Sequence, residues 1–442
     1  MNSIKQVIDE TGAVHTLIRR IGVGGQGEVW LAEGGRRIVK LLSRRGNAER
    51  LRRQFAFVRR LDLSGLHVAR PMAVLRPPHV GYVAEFLEDM VDIGTLLQAP
   101  PSGLLQWHID TGGLRRRLRL LAHAGEELAG LHGRGVIYAD VSHHNVFVSE
   151  PITASEAWLI DLDNLSHDSD RRTAIYTPGF GAPEVVARTG GCTSLSDAWS
   201  FAVLVYQTLT LTHPFIGDVV SDGEPELEEE ALAGEWPWVG CLDDKKNACS
   251  TGLPIEHVLG TRLLELARRT FEDGIADHKA RPSISKWVER LHGAADQTVR
   301  CAGCAGTYFV TEERCPWCQD PPTASLRVRL GRWQPGKGLV EGAIRLGQLP
   351  LTEAGLELPR RITEGLSGPG ARDPHVGLSL VKRGVTVRSL AGNQVWVAPI
   401  ARAHEERHAV TGRGRIVPSK GWMVFFEDPD RAQRVAVLGR SG

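Results

Sequence analysis

The sequence predicts an α+β fold in four parts: a small β-rich lobe, a larger helical lobe, a short segment of paired cysteines and a terminal β-sandwich. Three observations predict it. Ahead of Leu87 the apolar residues alternate in short runs broken by glycine, the period expected of strands. From Leu114 onward the patterns become mostly helical. Beyond Pro321-Pro322 short alternating runs return, separated by Gly, Asn and Asp turns. The expected boundaries are residues 1–298 for the first two lobes together, 299–320 for the cysteine segment and 321–442 for the sandwich.

Each element has its own warrant. Residues 17–21 and 28–32 read as strands around a glycine-rich turn, and Gly34-Gly35 signals a hairpin into a third strand at 37–41. Residues 48–61 place Leu51, Phe55, Val58 and Leu61 on one helical face, and residues 81–87 form a further strand. Helices are expected over 114–131, 197–211, 255–271 and 283–291. Residues 217–252 lack firm periodicity, and the acidic run from Glu224 to Glu230 reads as a solvated helix start or loop. In the tail, residues 376–381, 384–388, 394–397, 421–426 and 435–438 alternate as sandwich strands.

Bulk properties narrow the function. A chain of 442 residues accommodates two or three domains, and a net charge of +1 argues against a general electrostatic footprint for nucleic acid. Residues 4–10 are polar and charged where a secretion signal would be apolar. The longest apolar stretch, over 198–211, is interrupted by Ser200, Gln207, Thr208 and Thr210 and reads as a core helix rather than a membrane span. A soluble, cytoplasmic chain without nucleic-acid or membrane partners is the expectation.

Short motifs carry the chemistry. Gly22-Val-Gly24-Gly25-Gln26-Gly27 lets backbone N–H groups approach phosphate without a Cβ in the way; taken alone it also suits an ordinary hairpin. Lys40 comes thirteen residues after Gly27 on the next strand. Asp140 and Asn145 come next, then Asp161-Leu162-Asp163, Ala182-Pro183-Glu184 and Asp197. A hard divalent ion prefers oxygen ligands, which suits the carboxylate of Asp161 after its short strand.

In this order the motifs resemble the eukaryotic-like (bacterial) Ser/Thr protein kinase family over residues 14–295. The resemblance implies a bilobal fold that binds ATP with Mg²⁺ or Mn²⁺. Gly22, Gly24 and Gly27 would cover the phosphates, and Lys40 would pair with the α- and β-phosphates. Asp140 would accept or orient the substrate hydroxyl proton, while Asn145 and Asp161 would hold the metal. Ala84, Glu85 and Leu87 would line the adenine site, with Val29 and Phe147 above and below the ring; core packing is the alternative role for Phe147. Thr177 would bond near Asp140, Glu184 would latch onto Arg281, and Asp197 would hold the catalytic-loop backbone.

This chain departs from the family pattern in four places. Tyr138-Ala139 replaces the usual His-Arg, which removes the arginine that reads a loop phosphate. Ser142 stands where a phosphate-contacting lysine is usual, and Asp163 replaces a glycine. Gln54 occupies the place of the helix glutamate that pairs with the strand lysine, leaving Glu49 as the expected substitute. A nucleotide-binding pseudokinase scaffold and a small-molecule kinase are therefore the alternatives to a protein kinase. The loop from Asp140 to Asn145 is similar to those of kinases in stress-response modules, which implies a von Willebrand A-type or phosphatase partner.

The seven cysteines divide unevenly, with Cys301-Ala-Gly-Cys304 and Cys315-Pro-Trp-Cys318 separated by ten residues. Two such turns resemble the knuckles of a zinc ribbon, in which four thiolates hold a structural Zn²⁺; redox dithiols are the alternative. The β-rich tail is faintly similar to a forkhead-associated (FHA-like) phosphopeptide-binding sandwich, although the binding signature of that family is degraded. Arg360, Arg361, His375 and Arg388 there read as a solvated face or an anion site.

Overall fold

The computed structural model describes residues 6–24, 27–42, 48–169, 175–340 and 348–439. The chain divides into two compact units, Met1–Trp107 with Arg116–Leu291, and His108–Arg115 with His292–Gly442.

The first unit begins with an antiparallel sheet of β1 (Gln6–Ile8), β2 (Val14–Gly24), β3 (Gly27–Ala32), β4 (Arg37–Leu42), β5 (Pro71–Val74) and β6 (Gly81–Glu85), in the order β1-β2-β3-β4-β6-β5. Side chains alternate across a strand, so each strand serves two faces. Val39 and Leu41 of β4 join Val7, Leu17 and Val83 in one apolar cluster. Ile38 turns the other way, against Leu51 and Phe55 of helix α1 (Ala48–Arg60) and Tyr82 and Ala84 of β6. Lys40 shares that second face, with its ammonium 5.7 Å from the centre of the Tyr82 ring.

Two small sheets then set the loops that matter. Val136–Ile137 pairs with Ser166–His167, and Val146–Ser149 pairs with Ala157–Leu159. Residues 138–145 and 160–165 both cross between these sheets, so the pairing holds the two segments side by side. Beneath them lies Ser194–Thr210, capped by a reciprocal pair of bonds between Thr193 and Ser196 and buried along nearly its whole length. A helix apolar on every side belongs in a core, and this one places Asp197 in its first turn.

The structure differs from the sequence expectation over 255–271. Instead of one helix there are Ile255–Val258 and Gly260–Arg268, followed by a wide turn at Arg269–Asp273. Gly260 adopts a left-handed conformation (φ 62°), which ends one helix and starts the next. Within 217–252 the acidic run does start a helix, Pro225–Leu232, with proline at its first turn and Glu226 and Glu228 near the positive end of its dipole.

In the second unit the cysteine segment and the sandwich lie together. Thr323, at the entrance to the sandwich, ties itself to the hairpin of Thr298–Arg300 with Thr307–Phe309. Its hydroxyl donates to the Arg300 carbonyl (2.8 Å), and its backbone N–H donates to the Tyr308 hydroxyl oxygen (2.8 Å). Arg361 makes a two-pronged ion pair with Asp296 (2.7 and 2.6 Å). Arg115 donates to the Thr298 hydroxyl (2.6 Å), which places residues 108–115 in this unit. The sandwich has a larger sheet built on Leu326–Gln334 and Gln433–Leu438 and a four-stranded one built on Pro374–Val381 and Gly384–Ser389. Val328, Val376, Val387, Val424 and Ala436 from the two sheets fill one core. Among the described residues no helix is long and apolar enough to cross a membrane.

Glu184 and Arg281 brace the helical lobe. Arg281 donates to both carboxylate oxygens (2.7 and 2.8 Å) and to the Gly274 carbonyl (2.9 Å), and its guanidinium lies over Trp199. Burial alone would raise the pKa of Glu184, but the bonds from Arg281 outweigh it and hold the carboxyl below its ordinary range. Breaking one side of such a pair leaves a buried charge, so Glu184→Gln should destabilise the first unit at neutral pH by about 3 kcal/mol. A lowered folded-state pKa gives stability that is complete above the ordinary glutamate range and lost as pH falls through the lowered value. Denaturant titrations of both proteins should therefore differ at pH 7 and converge in acid.

Candidate active site

The glycine turn meets two different demands. A Cβ on Gly27 would sit 1.9 Å from the Leu41 carbonyl oxygen, so the neighbouring strand alone requires glycine there. At Gly22 an added Cβ would meet only the Val29 side chain, at an ordinary 3.7 Å, and the fold makes no such demand. Gly24 closes β2, and Gly25 and Gln26 lie outside the described residues. Val29 is half-buried on β3 directly across from Lys40. Ala84 is buried on β6, Glu85 is exposed at its end, Leu87 is half-buried just beyond it, and Phe147 is half-buried on the strand that pairs with Trp158 and Asp92.

Lys40 is the charge about which the site is arranged. Its Nζ donates to Asp161 Oδ1 (2.5 Å) and to Asp163 Oδ2 (3.0 Å), and its side chain is only 10% exposed. Burial disfavours the ammonium, but the two carboxylates outweigh that and hold its pKa above the usual lysine range. Burial and the charge of Asp161 push the Asp163 carboxyl upward. Glu49, the expected partner, is not there. It faces solvent and pairs with Arg53, one turn along the exposed side of α1. Gln54 does face inward, but its amide donates to the Leu165 carbonyl (2.6 Å).

The segment of residues 138–145 is built as a lattice. Thr177 donates to Asp140 Oδ1 (2.7 Å), and Asn145 donates from its amide to the Asp140 carbonyl (2.9 Å). Burial raises the Asp140 carboxyl above its ordinary range, against the opposing bond from Thr177. Asp197 receives the backbone N–H groups of Tyr138 (2.7 Å) and Ala139 (2.9 Å), and His132 Nε2 lies 2.9 Å from the same carboxylate. Ala139 and Asp161 both have left-handed backbones (φ 69° and 56°), conformations that the surrounding bonds must sustain. The buried Tyr138 hydroxyl donates to the Ile160 carbonyl, joining this loop to the segment that ends in Asp161.

Sequence reasoning placed Lys40, Asp140, Asn145, Asp161, Thr177 and Asp197, and the structure brings them into one region of the first unit. It missed His132, although the residue closes the helix Gly113–His132 just ahead of the loop. It also treated Asp163 as a departure and not as a partner of Lys40.

Residues 105–248 match the protein kinase domain. That stretch includes the loop of Asp140 and Asn145, together with Asp161, Glu184 and Asp197, while the glycine turn and Lys40 lie ahead of it. The chain is similar to the serine/threonine-protein kinase pkn2 of Myxococcus xanthus, 30% identical over 221 residues that cover 46% of this chain and 25% of that protein. It is 31% identical over 210 residues to the CBL-interacting protein kinase 17 of Oryza sativa subsp. japonica, covering 45% and 44% of the two chains. The CBL-interacting protein kinase 4 of the same plant is 29% identical over 227 residues, with 47% of each chain covered. The chain thus spans less than half the length of these relatives.

The cysteine segment forms a second site. The Sγ atoms of Cys301, Cys304, Cys315 and Cys318 all lie within 4.8 Å of one another. Cys301 and Cys318 are 3.6 Å apart and Cys304 and Cys315 3.7 Å, too far for disulfide bonds. In the sandwich, Arg360 pairs with Glu364, Arg361 with Asp296, and His375 is fully buried, which leaves Arg388 as the exposed member of the anion site considered from sequence.

The Asp197 lattice yields a test independent of any reaction. Asp197→Ala leaves two buried backbone N–H groups without their acceptor. With charge-assisted bonds worth about 1.5–3 kcal/mol each, the first unit should lose about 3 kcal/mol of stability in chemical denaturation.

Proposed function

We propose that this chain is an ATP- and magnesium-dependent protein kinase acting on serine or threonine hydroxyls. The observation that carries the reading is the Lys40–Asp161 pair, which joins a strand beside the glycine turn to the segment next to the catalytic loop. The kinase-domain match and the Ser/Thr kinase relatives support it.

The donor set suits a hard divalent ion. Asp161 offers carboxylate oxygens, and Asn145, whose amide nitrogen is engaged with the Asp140 carbonyl, has its side-chain oxygen to offer. A bound Mg²⁺ would neutralise charge on the phosphates. Lys40 would bind the α- and β-phosphates, and the glycine at 22 lets the backbone come close to them. Asp140, aimed by Thr177 and raised in basicity by burial, takes the proton of the incoming hydroxyl. Ala139 leaves no arginine beside Asp140 to bind a phosphorylated loop, so the reading includes activity without loop phosphorylation.

The cysteine cluster fits a structural Zn²⁺. Thiolates about 2.3 Å from a tetrahedral zinc lie about 3.8 Å from one another, close to the separations seen here. Zinc would then supply much of the stability of a segment with only a small apolar cluster around Val299 and Tyr308. The appended sandwich is read as a recognition domain, and a von Willebrand A-type or phosphatase protein as the partner class to test first.

Incubation with labelled ATP and Mg²⁺, with subsequent phosphosite mapping, should show transfer to serine or threonine. Asp161→Ala should reduce it by ~10³ or more. Wild-type protein that binds nucleotide without transfer would make the chain a scaffold, and transfer to a small molecule alone would change the substrate class. Elemental analysis should find one Zn²⁺ per chain, lost in Cys301→Ser with kinase activity on a generic substrate retained. A titratable disulfide without zinc would assign these thiols to redox chemistry.

A further inference from the structure

Lys40 has two carboxylate partners among the described residues, and the proposed reaction assigns one of them, Asp161, to the metal. When Asp161 turns to a divalent ion and Lys40 engages the phosphates, an ammonium only 10% exposed still needs a protein carboxylate to hold it in place. Helix α1 offers none, since Glu49 is held by Arg53 in solvent and Gln54 is neutral. Asp163 is the remaining candidate. Its side chain is 9% exposed, it lies on the short turn Leu162–Asn164, and its Oδ2 accepts from Lys40 at 3.0 Å.

We infer that Asp163 is the positioning residue for Lys40, supplying from the turn after Asp161 the carboxylate that α1 lacks. The charges agree with this assignment. The Lys40–Asp163 contact can persist once Asp161 has taken the metal, so the ammonium keeps one protein carboxylate. The bond from Gln54 to the Leu165 carbonyl supports it independently: α1 remains registered on this same turn, two residues past Asp163, through a neutral contact. Asp163 touches neither nucleotide nor substrate in this scheme and acts through Lys40.

The inference rests on the kinase reading, and one set of measurements separates their failures. Nucleotide affinity is measured with full-length protein by fluorescence titration of ADP in EDTA, so that no metal contributes. Asp163→Asn should weaken ADP binding about fivefold or more and lower kcat/KM for MgATP at least tenfold, with the thermal midpoint within a few degrees of wild type. In a Lys40→Ala background the same substitution should have no further effect on ADP binding. Asp163→Gly should be similarly impaired, and adding Gln54→Glu should restore at least half of the lost affinity by returning a carboxylate to α1. If Asp163→Asn changes only the Mg²⁺ requirement and leaves ADP binding in EDTA untouched, Asp163 is a metal ligand and the inference is overturned. Failure of Gln54→Glu to rescue a folded Asp163→Gly protein also overturns it. Wild-type protein that binds no ADP would sink the kinase reading itself, and this inference with it.

Discussion

A nearly buried ammonium constrains the first unit more than any other single group. Lys40 lies on β4 because strand alternation puts it on the face shared with α1 and Tyr82, an otherwise apolar surface. Removing a charge from water costs several kcal/mol unless counter-charges meet it, so the segment carrying Asp161 and Asp163 has to come to the sheet. That segment pairs through Ser166–His167 with the strand preceding the Asp140 loop, and the Tyr138 hydroxyl adds a second tie. The position of Asp140 relative to Lys40 thus results from a short chain of bonds, each with a named donor and acceptor.

The helical lobe supports these loops from below by similar means. Asp197 converts the first turn of a core helix into an acceptor for two successive backbone N–H groups, which holds Ala139 in a left-handed conformation that alanine adopts only at a cost. Glu184 and Arg281 fasten another part of the same lobe, with Arg281 also 3.4 Å from the Leu195 carbonyl at the start of that core helix. Neither pair touches a reacting group in the scheme proposed, yet Asp197 holds the backbone just ahead of Asp140. The second unit has a different logic, with a small apolar cluster around four thiols continuing into a sandwich whose two sheets fill one core.

Much of this was legible in the sequence, for physical reasons. Strand alternation and the spacing from Gly27 to Lys40 are local patterns, as are the loop from Asp140 to Asn145 and the CxxC turns. What escaped depended on three-dimensional neighbours. Glu49 has the right chemistry at a plausible spacing, but helical geometry points it to solvent and Arg53 captures it. Asp163 looked like a defect because its partner is 123 residues away in sequence. The division of the helix expected over 255–271 turned on one left-handed glycine, and periodicity is blind to that. The union of the cysteine segment with the sandwich rests on side chains such as Thr323 and Arg361, whose partners no local pattern reveals.

The joint between α1 and the turn after Asp161 is an amide-to-carbonyl bond and not a pair of opposite charges. Dissolved ions weaken attraction between charges over roughly 10 Å at 0.1 M but leave a neutral hydrogen bond almost untouched. That one contact is insensitive to salt, in contrast to the half-exposed Arg59–Glu10 ion pair that ties the last turn of α1 to the residue just past β1.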